Sequence, residues 1–137
     1  MARLHVSLLS VFIFLLFSSE VEALVTTFHF NGFLSCGLST VDFFVQKLQV
    51  WEEDFKIDDL LGTTTNFERT ETGLKYKIDV SDDDDGLFQY EYEIYYLIEH
   101  NCTPAGNKKK ESKINVKSFP VINGHLWHQM DIDLSKY

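Results

Sequence analysis

The chain lacks the residue patterns that most often build a catalytic or metal centre. There is no Gly-Xaa-Ser-Xaa-Gly elbow and no glycine-rich loop able to cradle a phosphate, so the familiar signatures of serine hydrolases and nucleotide-binding enzymes are missing. There are only two cysteines, and none is spare for a zinc centre if they pair as a disulfide. Positive charge is also scarce: 12 Lys and Arg stand against 21 Asp and Glu, a net charge of −9 that repels nucleic-acid phosphates and anionic membrane surfaces. No nucleic acid partner is expected. The apolar run from Val6 to Phe17 is shorter than the roughly 20 residues needed to cross a bilayer, and no later segment comes closer.

The N-terminus does carry an export pattern. Arg3 precedes the apolar run, and Ser18-Ser19-Glu20-Val21-Glu22-Ala23 follows it with small residues placed for cleavage after Ala23. Residues 1–23 are therefore expected to be a secretory signal peptide and residues 24–137 a single domain, free of a transmembrane segment once the leader is removed. Removal takes away Arg3, Glu20 and Glu22, so −9 becomes −8. Cys36 and Cys102 remain, 66 positions apart, and outside the cell an even pair is expected to be joined as a disulfide.

Seven segments read as strands. Thr26 to Ser35 places Phe28, Phe30, Gly32 and Leu34 on one face; Phe43 to Glu52 turns Phe44, Leu48 and Val50 inward and Trp51 outward; Leu60 to Thr65 is short and β-branched. After Gly73, Leu74, Tyr76, Ile78 and Val80 alternate with Lys75, Lys77 and Asp79. The most regular segment runs from Phe88 to Cys102, where Phe88, Tyr90, Tyr92, Ile94, Tyr96 and Ile98 share a face opposite Gln89, Glu91, Glu93 and Glu99. Ile114 and Val116 mark a sixth strand, and Leu126 to Leu134 a seventh that alternates His128, Met130, Ile132 and Leu134 with Gln129, Asp131 and Asp133. One helical turn is allowed at Ile57 to Leu61. The pattern predicts an all-β, antiparallel, seven-stranded immunoglobulin-like sandwich.

Several short motifs have ordinary readings. Ser81 to Tyr92 imitates a calcium loop through Asp83, Asp85 and Gly86, but Ser81 and Tyr92 stand where the first and twelfth ligands belong, so a solvated acidic turn is expected. His125 and His128 are three apart, which on a strand sends them to opposite faces, and His29 and His100 are distant in sequence; no metal site is expected. Asn101-Cys102-Thr103 is a candidate N-glycosylation site at Asn101. Lys108-Lys109-Lys110 reads as a solvated loop or charged sheet edge, and Trp51 with Trp127 as a candidate exposed aromatic patch. No catalytic residue, cofactor or ligand-binding residue is assigned.

Laid out in order, these residues resemble the transthyretin-like family of secreted nematode proteins. Phe28-His29-Phe30-Asn31-Gly32-Phe33-Leu34-Ser35-Cys36 is similar to that family's opening pattern. Val50 to Asp54 with Asp58-Asp59-Leu60-Leu61, His100-Asn101-Cys102, Lys109 to Val116, and Asp131-Ile132-Asp133-Leu134 are similar to its later pieces. The chain departs from the family after the first cysteine, where Cys36-Gly37-Leu38-Ser39 has no proline, and at Ile94, where the family has one. The resemblance implies a transthyretin-type sandwich, export, and a noncatalytic role. The related 5-hydroxyisourate hydrolases end in Tyr-Arg-Gly-Ser, whereas this chain ends in Asp133-Leu134-Ser135-Lys136-Tyr137. The expected function is an extracellular binding or signalling module contacting a protein or cell-surface partner; a carrier of a small apolar ligand or lipid is the alternative, and a hydrolase of that type the third.

Overall fold

The computed structural model describes residues 23–38, 42–83, 90–104 and 108–137. Residues 1–22 of the leader expected at residues 1–23, Phe88, and the Asp84 to Gly86 part of the acidic turn lie outside the described residues. Among the described residues nine strands follow one another: β1 (Thr26–Ser35), β2 (Val45–Glu52), β3 (Asp59–Thr64), β4 (Phe67–Arg69), β5 (Leu74–Asp82), β6 (Glu91–His100), β7 (Lys110–Pro120), β8 (Gly124–Gln129) and β9 (Ile132–Asp133). They form two sheets. One is ordered β4-β5-β1-β8, with β9 also paired to β1; the other is β3-β2-β6-β7. The sheets face each other in a β-sandwich-like arrangement.

Period-two alternation explains the interior. Phe28, Phe30 and Leu34 of β1 and Leu74, Tyr76, Ile78 and Val80 of β5 are buried, as are Tyr92, Ile94, Tyr96 and Ile98 of β6. Aromatic edges meet across the gap: Phe28 lies edge-on to Tyr92 with centroids 5.2 Å apart, Phe30 to Tyr96 at 5.7 Å, and Phe119 of β7 to Phe28 at 5.5 Å. Cys36, just past β1, and Cys102, just past β6, are joined with a Cα–Cα distance of 5.7 Å, so the disulfide ties one sheet to the other.

The strand count and direction differ from the sequence reading. A short strand at Phe67–Arg69 pairs with β5, and the expected seventh strand is split into β8 and β9. The sandwich is not wholly antiparallel, because β1 runs parallel to both β8 and β9. Alternation fixes which face a side chain occupies but carries nothing about the direction of the neighbouring strand. Here the chain leaves β7 in one sheet and enters β8 in the other. The buried Thr26 hydroxyl secures that crossing, donating to Ile122 O at 2.5 Å and accepting from Ile122 N–H at 3.2 Å, while Gly124 N–H donates to Val25 O at 3.0 Å.

Three smaller expectations are corrected. Phe44 is exposed and Val45 takes the inward position, because the pairing of β2 with β6 slips between Val45 and Lys47. Ile57 to Leu61 forms no helical turn; a bend at residues 55–57 leads into β3, and the one helical element among the described residues is a 3₁₀ turn at Leu134–Lys136. Asp133 caps that turn, accepting from Ser135 N–H at 3.1 Å and also from Gly37 N–H at 3.2 Å, which fastens the C-terminus beside the disulfide. Tyr90, expected inward, is exposed at the mouth of β6.

His100 is fully buried at the end of β6. Its Nδ1 accepts from Cys102 N–H at 3.0 Å, so the ring proton sits on Nε2 and donates to Ser112 Oγ at 2.9 Å. Burial, with the Lys110 charge adding to it, holds the imidazole below its ordinary value; His128 is lowered by burial and then by Lys117. The unfolded chain therefore binds these protons more readily than the folded one. The stability contributed by the neutral rings is complete above the unfolded value of 6.5 and is lost as pH falls through the folded values. Denaturant midpoints should drop between pH 7.5 and pH 5.0, above the range in which carboxylates titrate; a flat or rising profile there would contradict neutral burial.

Candidate functional site: an imidazole and indole face

The outward positions of β1, β5 and β8 come together through register. Thr27 is opposite Ser81 on one side and His125 on the other; His29 is opposite Asp79 and Trp127; Asn31 is opposite Lys77 and Gln129. Because the inward positions of β1 hold phenylalanine and leucine, these polar residues share the solvent face. Trp127 is 70% exposed, a large apolar ring in the middle of a polar surface.

The side chains of this face form a connected row. His29 Nδ1 is 2.8 Å from Asp79 Oδ1, His29 Nε2 is 2.9 Å from His125 Nδ1, and Thr27 Oγ1 is 3.0 Å from Ser81 Oγ. The Trp127 ring lies nearly parallel to His29, at 18° with centroids 4.9 Å apart, and 5.8 Å from the His125 ring. Hydrogen-bond logic assigns the protons. An ionised carboxylate only accepts, so His29 Nδ1 carries a proton toward Asp79; in neutral His29 the Nε2 then accepts from His125 Nδ1–H. Asp79 thus sets the tautomer of a histidine 50 residues away.

His128 faces the other way, its ring edge-on to Phe119 at 5.5 Å and to Phe30 at 6.4 Å, so it shares no site with His125. The two tryptophans do not form one patch. Trp51 lies on the outer face of the opposite sheet, stacked on Tyr95 at 6.3 Å, where the Tyr95 hydroxyl donates to Asp58 Oδ2 at 2.8 Å and Lys113 Nζ sits 3.9 Å above the tyrosine ring. Burial, reinforced by that Asp58 bond, pushes the Tyr95 hydroxyl up to about 12. The bend beyond β2 presents Phe55, 98% exposed, and Ile57 among acidic residues.

Asn101 is buried at 4% exposure, and its side chain holds the chain before β2: its amide donates to Asp42 O at 2.7 Å and its oxygen accepts from Phe44 N–H at 2.8 Å. A glycan on that nitrogen requires the clamp to open. Lys108 to Lys110 are exposed where β7 begins; Lys109 reaches Glu99 at 3.5 Å and Gln46, and Lys110 donates to the Tyr137 carbonyl. β7 is an outer strand of its sheet, so these lysines mark a charged edge. Ser81 of the acidic turn is bonded to Thr27, and no group of three or more His, Cys, Asp or Glu converges as a metal cage among the described residues. An open depression of about 620 Å³ beside β4 is lined by Thr65, Asn66, Phe67, Glu68, Lys75, Tyr76 and Lys77, a mixed rather than apolar wall. No helix of the described residues is long and apolar enough to cross a membrane.

Alternation puts Trp127 on the outer face but leaves His29 apart from His125, since nothing in the residues between them announces a parallel pairing of the first strand with the eighth. Residues 31–136 match the model of a family described as Caenorhabditis elegans protein of unknown function (DUF870), a span that includes both cysteines, Asp79, His125 and Trp127 and begins two residues after His29. No curated protein and no solved structure matches the chain. The family match covers well over half of the chain, which therefore belongs to this family of Caenorhabditis elegans proteins of unknown function.

Proposed function

We propose that the chain is a secreted, noncatalytic binding module of transthyretin-like type, contacting a basic site on a cell-surface protein through the Trp127 face. The observation that carries the reading is the exposed indole: a tryptophan at 70% exposure, flanked by His29, Asp79, Asn31 and Gln129, has the composition of an interface anchor with a polar surround. The leader pattern of residues 1–23 supports export, and a cross-sheet disulfide is compatible with it. A charge of −8 on the exported chain favours encounter with a basic surface.

The test is saturable capture of a cell-surface protein by the natively exported chain, compared with Trp127→Ala and Phe55→Ser. Trp127→Ala is expected to weaken capture about tenfold or more, as loss of an interface anchor does, with no change in melting temperature because the ring is exposed. Phe55→Ser should capture normally. Absence of saturable capture by the unaltered chain overturns the module; loss with Phe55→Ser but not with Trp127→Ala moves the contact to the bend after β2, on the other sheet, and overturns this face.

A further inference from the structure

We propose that His29 and His125 form a two-imidazole site for a divalent transition-metal ion, with copper(II) the preferred ion. This goes beyond the partner-binding reading and does not depend on it.

Asp79 orients His29 as a ligand. Metal-bound histidines characteristically donate their second ring N–H to a carboxylate, which fixes the tautomer and raises the basicity of the ligating nitrogen. His29 already stands in that arrangement: Nδ1–H is engaged by Asp79 Oδ1 at 2.8 Å, and the lone pair of Nε2 is turned away from the carboxylate, toward β8. The nitrogen waiting there is His125 Nδ1, 2.9 Å distant. Without metal this is an N–H···N bond. With metal, the His125 proton moves to its Nε2, leaving an Nδ1 lone pair; the ring stays neutral, so no net proton is released.

The spacing bears on which ion fits. Two nitrogens 2.9 Å apart, each about 2.0 Å from a common ion, subtend an angle of about 90°, whereas tetrahedral coordination at the same bond length needs about 3.3 Å. Right-angled ligation by nitrogen is the tetragonal preference of copper(II) and nickel(II), and copper heads the affinity order of the divalent first-row series. Each ring must tilt to aim its lone pair at the shared apex. His125 is exposed, so it gives up its bond to His29 and swings the most, while His29, its Nδ1–H held by Asp79, turns less; the remaining positions stay open to water. Asp79 also places a negative charge behind the pair, on a chain already acidic overall.

Trp127 supplies the readout. Its ring is 4.9 Å from that of His29, whereas Trp51 lies on the other sheet, so copper at the pair should quench the emission of one tryptophan and spare the other. Copper(II) is titrated into the exported chain and its Trp51→Phe variant at neutral pH, following fluorescence and the electron paramagnetic resonance spectrum. One equivalent should bind, with quenching retained in Trp51→Phe and a tetragonal signal coupled to imidazole nitrogens. His29→Ala and His125→Ala should each weaken binding at least tenfold, and Asp79→Asn about 10- to 100-fold, while His128→Ala binds normally. His125 is exposed, so its variant keeps the test valid if His29→Ala fails to fold. Unchanged binding in His125→Ala, or no stoichiometric binding at all, overturns the site; tighter binding of zinc than of copper overturns the choice of ion.

Discussion

Replacing both Cys36 and Cys102 by serine should cost the fold about 4 kcal/mol, the value the chain-entropy model gives for a closed loop of this length. The bridge spans a sequence separation of 66 and joins the ends of β1 and β6, which belong to different sheets. Without it the unfolded chain regains the freedom of that whole loop. The folded state also loses a covalent tie between its two halves at the point where the C-terminal 3₁₀ turn docks, since Asp133 accepts from Gly37 N–H next to Cys36. A domain of this size has a net stability of roughly 5–15 kcal/mol, so the loss removes a large share of it. The measurement is the denaturant midpoint of the oxidised chain against the double-serine variant. A shift of less than about 1 kcal/mol would mean that the sandwich is held by its aromatic interior and that the unfolded chain is already compact.

The face that carries the proposed contact depends on the same architecture. His29 reaches Asp79 and Trp127 only because β1 lies between β5 and β8, and β8 stays there because Thr26 and Val25 hold the segment that delivers it. Loosening the sandwich should therefore part His125 and Trp127 of β8 from His29 before it disturbs the β1–β5 pairing that holds His29 to Asp79. The partner and copper readouts, taken on the double-serine variant, report that dependence directly.

Much of the architecture is legible in the residues, and the misses have identifiable causes. β1 and β5 are long, alternate cleanly, and fall where the pattern puts them, while β6 occupies Glu91–His100 within the expected Phe88 to Cys102. β4 is three residues long and carries too little alternation to be seen. Phe44 is placed inward by counting back from Leu48 in twos, and the pairing slip between Val45 and Lys47 defeats that count. Tyr95 is buried although it sits on the outward side of β6, because the Trp51 ring, Asp58 and Lys113 cover it from neighbouring strands and the following bend. His128 is correctly separated from His125 by their odd spacing. The union of His29 with His125 is invisible for a deeper reason: the two residues are 96 positions apart and meet through a parallel pairing between strands that sequence alternation cannot match up.

Gly32→Ala should destabilise the fold more than its single added methyl group suggests, by about 3 kcal/mol or more, beyond the usual range for overpacking by a methylene. Gly32 occupies an inward position of β1, between Phe30 and Leu34, where alternation calls for a side chain. That space is filled by the segment joining β8 to β9. A Cβ on Gly32 would lie 1.9 Å from Met130 O and 2.7 Å from Met130 C, backbone atoms that cannot swing aside. The Met130 backbone is fixed from both sides, its N–H donating to Asn31 O at 2.9 Å and its carbonyl accepting from the Tyr76 hydroxyl at 2.8 Å. Moving the segment breaks these bonds and pulls on β9, whose pairing with Leu34 and Ser35 leads directly to Cys36. Tyr76→Phe provides the scale, because it removes one of the two bonds without the steric conflict and should cost about 1 kcal/mol. Thermal melts of both variants decide the matter: Gly32→Ala should melt on the order of 15 °C lower than the unaltered chain, well below Tyr76→Phe, and equal melting of the two variants would mean that the β8 to β9 connection yields and is no part of the rigid core.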